Sequence, residues 1–188
     1  MLKEEIRILY KKRRREISVT QKEKLEDLML IQFQKLFIDI EGVIMTYAPI
    51  DSMNEYNPYL IEEYCFFKNE SVQLAYPVVD FVTDTLKVFL IKDETDFAKN
   101  IYGIEEPIGA TEIKPSYIKI MFVPLLAFDS NGYRVGYGKG YYDKLLSFCN
   151  PNLIKIGFSF FEDVIIDDIN NFDKKIDYCI TPNKIYQF

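Results

Sequence analysis

Between Ile118 and Leu146 the chain passes from a run that is apolar but for Lys119, Ile118 to Val123, through a glycine-rich segment into Tyr141-Tyr142-Asp143-Lys144-Leu145-Leu146. A short apolar run closed by a turn signal reads as a buried strand, and Pro124 ends it. Asp129-Ser130-Asn131-Gly132 is a turn cluster. Four of the 8 glycines fall between Gly132 and Gly140. Gly136, Gly138 and Gly140 leave the backbone without Cβ atoms, so its N–H groups can approach a ligand closely. The residues after them open a helix, whose first N–H groups have no helical partner and carry its positive end. Arg134 and Lys139 add full positive charge. This order of strand, glycine loop and helix predicts a phosphate-binding loop. The spacing matches neither of the two common nucleotide fingerprints, so a purely structural loop is the competing reading.

The rest of the chain alternates between the two kinds of element. Leu2 to Glu16 reads as a helix free of Gly and Pro, with Lys3, Arg7, Tyr10 and Arg14 on one face. The run Lys11 to Arg15 reads as a solvated basic face. Ser18-x-x-Gln21 and Thr20-x-x-Glu23 are capping boxes for a second helix. Its expected core stripe is Leu25, Met29, Phe33 and Phe37, with Leu28 and Leu36. Gly42 to Tyr47 is a strand, Tyr59 to Phe67 a helix after Pro58, and Val72 to Tyr76 a strand stopped by Pro77. Phe81-Val82 and Leu86 to Ile91 read as a hairpin around Thr83-Asp84-Thr85. Leu153 to Ser159 and Tyr178 to Thr181 are further strands, separated by an acidic loop, Asp167 to Asp177. The pattern predicts an α/β fold in one domain of 188 residues, a mostly parallel sheet with helices on both faces. An antiparallel hairpin is expected at one side.

Composition narrows the chemistry. The chain has no histidine, which removes Ser-His-Asp and Cys-His catalysis and His-based zinc sites. Cys65, Cys149 and Cys179 show no C-x-x-C pairing and read as reduced thiols of a cytoplasmic protein. The net charge of −6 argues against nucleic acid as a main partner. No apolar run approaches the ~20 residues of a membrane span, and Met1 to Glu5 lacks the apolar core of a signal peptide. What is left is chemistry by carboxylates, Lys, Arg, Tyr, backbone amides or a hard metal. Phosphoryl transfer suits that set, because it rests on positioning and charge stabilisation.

The segment Val123 to Asp143 resembles the signature of the 5-formyltetrahydrofolate cyclo-ligase family, R-x-G-x-G-x-G-Y-Y-D after V-P-x-x-A-F-D. Weaker likeness runs along nearly the whole chain. Tyr47-x-Pro49…Glu55 fits the family's Y-x-P…E, and Gly103 to Pro107 its G-I-x-E-P loop. Lys3 and Arg7 match a Lys-x-x-x-Arg pair. Asp173 stands in a family His-Asp position where this chain has Phe172 in place of the histidine.

The resemblance implies a three-layer, open, Rossmann-like and CoA-transferase-like sheet. It also implies ATP- and magnesium-dependent cyclisation of 5-formyltetrahydrofolate to 5,10-methenyltetrahydrofolate, with release of ADP and phosphate. The ATP ligands it implies are Lys3, Arg7, Arg134, Gly136, Gly138, Gly140 and Tyr142. The folate ligands are Ile50, Glu55, Tyr137, Gly138, Lys139, Gly140 and Tyr141. Lys139 and Arg134 are the implied catalytic cations, and Asp143 and Asp173 the magnesium ligands. Partners are then small molecules, with no nucleic acid or membrane, and the chain is expected as a monomer or weak homodimer. Plainer readings stand beside these: Tyr141 and Tyr142 as core, Asp143 as a first-turn helix residue, Asp173 as a solvated acid. A non-catalytic folate or nucleotide regulator, and a different ATP-dependent kinase or ligase, also fit the residues.

Overall fold

The computed structural model describes residues 1–188. Helices α1 (Lys3–Arg15) and α2 (Val19–Phe33) open the chain, and Ser18 caps the second by accepting from the Gln21 N–H at 3.3 Å. Strand β1 (Val43–Met45), helix α3 (Tyr59–Lys68) and the hairpin β2 (Gln73–Asp80) to β3 (Thr85–Leu90) follow. Three short strands come next, β4 (Phe97–Lys99), β5 (Glu105–Pro107) and β6 (Thr111–Ile113). Then come β7 (Ile118–Val123), β8 (Ala127–Phe128), β9 (Arg134–Val135) and α4 (Tyr141–Leu146). Strands β10 (Ile154–Phe158), β11 (Tyr178–Ile180) and β12 (Ile185–Gln187) close it.

Eight strands form one sheet in the order β12-β11-β10-β7-β1-β2-β3-β6. The middle run, β11-β10-β7-β1-β2, is parallel, and β12, β3 and β6 are added at the edges through antiparallel pairings. A parallel sheet must be covered on both faces, and the strands here alternate between two apolar layers. Ile44, Leu74, Ile120, Phe122, Ile156 and Phe158 point to one layer, against Met29 and Phe33 of α2 and Ile61 and Cys65 of α3. Met45, Ala75, Met121 and Val123 point to the other, against Phe128, Leu153 and Leu145 of α4. A third cluster seats α1 through Ile6 and Tyr10 against Leu126 and Val135. No helix is long and apolar enough to cross a membrane.

The structure corrects several expectations. Strand β2 does not stop at Pro77 but continues to Asp80. Its parallel neighbour β1 ends at Met45 opposite Ala75, and the backbone of Val79, like that of Pro77, faces away from β3. The missing proline N–H therefore falls where no strand needs it. Phe81 and Val82 lie in the hairpin turn, not in a strand. Helix α2 ends at Phe33, which leaves Phe37 fully exposed and Leu28 on the solvent side. Within the segment Gly103 to Pro107, Glu105 to Pro107 form β5 and pair with β4.

Candidate active site

A cavity of about 820 Å³ opens beyond the carboxyl ends of β1 and β7, bordered by Tyr47, Ala48 and Pro124. This is the end at which open α/β sheets take ligands. Lys3 and Arg7 of α1, Ile50 and Glu55, the stretch Arg134 to Asp143, and Asn170 to Lys174 form its walls. The hairpin residues Pro77 and Leu86 close one side, with Tyr102 and Glu106 beside them. Every residue singled out in the sequence for a ligand borders this one cavity.

The glycine loop has two positions in left-handed backbone, Gly138 and Gly140. Gly138 has φ +99°, and a Cβ there would lie 3.3 Å from Cζ of Arg7. Gly140, at φ +68°, is the N-cap of α4. Gly136 has an ordinary φ and open space around it, and its carbonyl accepts from Nε of Arg7 at 3.0 Å. The guanidinium of Arg7 is thereby laid along the loop, and it forms no ion pair. Lys139 stands exposed at the loop's tip. Helix α4 has only six residues, so the loop amides and side-chain charges matter more here than a helix dipole.

The other two cations are held by acids. Nη2 of Arg134 lies 3.1 Å from Oδ1 of Asp143, and its Nη1 donates to the Lys174 carbonyl at 2.6 Å. Asp143 Oδ1 also accepts the Lys174 N–H at 3.0 Å. Nζ of Lys3 pairs with Oδ2 of Asp173, and that oxygen accepts the Asn170 N–H at 2.7 Å. In each acid one oxygen is occupied and the other makes no hydrogen bond within the protein. No three Asp, Glu or Cys side chains gather into a chelating cluster.

Glu55, which also lines the cavity, is 3% exposed. Its Oε2 accepts the Ile50 N–H at 2.9 Å, and its Oε1 accepts the Tyr137 hydroxyl at 3.0 Å. Burial pushes its carboxyl up, opposed chiefly by the nearby Arg14 guanidinium. The turn that delivers Glu55 is pinned by Asn54 in left-handed backbone, whose Nδ2 donates to the carbonyls of Arg14 at 2.7 Å and Ile17 at 2.9 Å. Tyr142 is half-buried after the loop, with its hydroxyl desolvated and raised above the ordinary phenol range. Tyr141 donates to Asp84 Oδ1 at 2.9 Å, and Lys144 pairs with the same carboxylate at 3.0 Å. These bonds dock α4 on the tip of the β2–β3 hairpin. Burial lifts the Cys65 thiol to about 12 and Cys149 to about 11, so neither is a nucleophile.

The model of the 5-formyltetrahydrofolate cyclo-ligase family matches residues 2–182, nearly the whole chain. The chain belongs to that family. The cyclo-ligase of Haemophilus influenzae is 31% identical over 129 residues, which cover 66% of this chain and 62% of that one. The cyclo-ligase of Mycoplasma genitalium is 47% identical over 49 residues, 26% of this chain and 30% of its relative. The matched segments thus span less than two thirds of these relatives. The solved 5,10-methenyltetrahydrofolate synthetase of Aquifex aeolicus superimposes with a TM-score of 0.78 at 24% identity, covering 100% of this chain and 93% of its own. A synthetase from Mycoplasma pneumoniae gives 0.71 at 24%, with 97% and 99% covered. The α/β sheet is therefore the fold of these cyclo-ligase relatives.

Two features of this family member were not read from sequence. Arg14 is 3% exposed, not part of a solvated basic face. Its place on the helix face of Lys3, Arg7 and Tyr10 was the available signal. Asp84 gave none, since its link to Tyr141 spans 57 residues. Phe172, in the position of the missing histidine, is 83% exposed at the cavity edge.

Proposed function

We propose that the chain catalyses the ATP- and magnesium-dependent cyclisation of 5-formyltetrahydrofolate to 5,10-methenyltetrahydrofolate, releasing ADP and phosphate. The observation that carries this reading is the shared cavity. Lys3, Arg7, Arg134 and Lys139 line it together with a buried carboxylate acceptor, Glu55, which the glycine loop reaches through Tyr137. The cations suit a polyphosphate. Glu55 suits the paired amino and ring N–H donors of a pterin, which a carboxylate can accept together.

A formamide oxygen is a poor leaving group. Transfer of the γ-phosphoryl group to that oxygen, with ADP departing, makes it a good one. N10 then attacks the formyl carbon, the phosphate leaves with the oxygen, and the five-membered ring closes with loss of the N10 proton. N10 belongs to the same molecule, so the protein's main task is to align ATP against the formyl oxygen. Gly136, Gly138 and Gly140 offer backbone to the phosphates. Arg134, Lys3 and Arg7 hold them, and Lys139 stabilises charge on the group in transfer. Tyr142 bounds the nucleotide, while Ile50, Tyr137 and Tyr141 bound the folate.

The donor set also fits a magnesium ion. Such an ion takes one or two carboxylates and completes its shell with water and phosphate oxygens. The open oxygens of Asp143 and Asp173 would supply the protein's share. The ion, when bound, would neutralise phosphate charge.

The deciding experiment is release of ADP with and without 5-formyltetrahydrofolate. Release that depends on the folate, with appearance of the methenyl product, is expected. Binding without turnover would make the chain a regulator, and ADP release indifferent to the folate would make it another kinase or ligase.

A further inference from the structure

Arg14 is buried and does not line the cavity, and none of the roles above uses it. Its guanidinium donates through Nε to the Met53 carbonyl at 3.0 Å and through Nη1 to the Leu125 carbonyl at 3.3 Å. Through Nη2 it donates to the hydroxyl of Tyr137. A phenol has one hydrogen. With its oxygen accepting from Arg14, that hydrogen is directed to the remaining partner, Oε1 of Glu55, at 3.0 Å. The Ile50 N–H fills one lone pair of Oε2 at 2.9 Å. Both carboxylate oxygens are thus oriented by protein donors, and each keeps capacity to accept one bond more.

We propose that Arg14 is a positioning residue for Glu55: it aims the Tyr137 hydroxyl and places a permanent charge near the carboxylate, so that Glu55 meets a bound pterin purely as an acceptor. This inference rests on the functional reading above, in which Glu55 receives the pterin's paired donors. The reason is electrostatic. A carboxylate this deeply buried is driven toward its neutral form, which would turn one oxygen into a donor facing donors. The groups facing Glu55 are few. Arg14 and, more distantly, Lys22 favour the ion. Tyr137 donates to it, with Lys11 over the Tyr137 ring at 5.5 Å. Tyr47 and Tyr142 are neutral phenols whose own ionisation Glu55 opposes. Arg14 is the full positive charge that acts most strongly on Glu55, and an arginine cannot lose it in the physiological range.

The test is equilibrium binding of 5-formyltetrahydrofolate across pH to the intact chain and to Arg14→Gln, Arg14→Lys and Tyr137→Phe, with ATP binding measured beside it. Loss of the charge in Arg14→Gln raises the pH at which Glu55 takes up its proton. Folate binding should then fail at higher pH than in the wild type, and should be about tenfold weaker near neutrality. ATP affinity should stay unchanged. Arg14→Lys restores the charge and should return the pH midpoint toward the wild-type value. If Arg14→Gln does not fold, Tyr137→Phe decides. It cuts the middle bond at the cavity wall and should shift the midpoint in the same direction. Midpoints that superpose in all folded variants, or a loss of affinity uniform across pH, overturn the inference. A wild-type protein that does not bind 5-formyltetrahydrofolate overturns the functional reading, and this inference falls with it.

Discussion

Arg134 and Asp143 form an ion pair across the foot of the glycine loop, with Nη2 3.1 Å from Oδ1. The side chain read as a phosphate ligand thus holds the one read as a metal ligand. Lys3 and Asp173, which line the same cavity, repeat the relationship. Within each pair a cation and an acid of the site neutralise one another. A magnesium–nucleotide pair would take both partners at once, the phosphates to the cations and the metal to the carboxylates.

Arg134→Ala should weaken ATP binding by about 1.5–3 kcal/mol, roughly ten- to a hundredfold. The loss reflects one charged contact and a released Asp143. Titration calorimetry with circular dichroism checks it. Unaltered ATP affinity in a normally folded variant removes Arg134 from the phosphate site.

Asp143→Asn should raise the magnesium concentration for half-maximal rate by about tenfold or more, since even outer-shell changes cost that much. The folate requirement should move far less. Chelator should abolish turnover, and magnesium or manganese should restore it. An unaltered magnesium curve, or full rate in excess chelator, would count against the assignment.

Gly138→Ala and Gly136→Ala separate backbone strain from crowding. At φ +99°, with Arg7 Cζ 3.3 Å from the new Cβ, the first should cost about 1–3 kcal/mol of stability. The second meets open space at an ordinary φ and should stay within about 0.5 kcal/mol. Thermal melts of both compare them directly. Equal melting temperatures would show that the loop relaxes without cost.

Glu62 gives a pH dependence outside the site. It is 6% exposed, accepts from the Thr46 and Tyr76 hydroxyls, and forms no ion pair. Burial raises its carboxyl above the ordinary range. A carboxyl raised on folding favours the folded state at acid pH, and that contribution is lost as pH rises through its folded value. Glu62→Gln should therefore melt higher than the wild type at pH 8, by roughly 2–4 °C per kcal/mol. The difference should vanish at acid pH. A constant difference across pH would mean that Glu62 does not titrate as described.

Much of the site was legible because its signals are local. The apolar run Ile118 to Val123, the turn at Asp129 to Gly132 and the glycines beyond specify strand, turn and close-approach loop from neighbouring residues alone. Lys3 and Arg7, one turn apart, were bound to share a face once α1 formed. The absence of histidine by itself excludes whole classes of chemistry.

The remainder depended on partners distant along the chain. Strands β4, β6 and β12 have three residues each, too few for a pattern, and exist because β5, β3 and β11 pair with them. Pro77 could enter β2 only because β1 ends two residues earlier in register. Arg14 carries the same charge as its neighbours in the basic run. It is buried because Met53, Leu125 and Tyr137, 39, 111 and 123 residues away, converge to accept its hydrogens. Backbone conformation follows from sterics between adjacent residues, and the sequence carries that directly. The pairing of buried charges follows from desolvation, which only the assembled tertiary structure imposes.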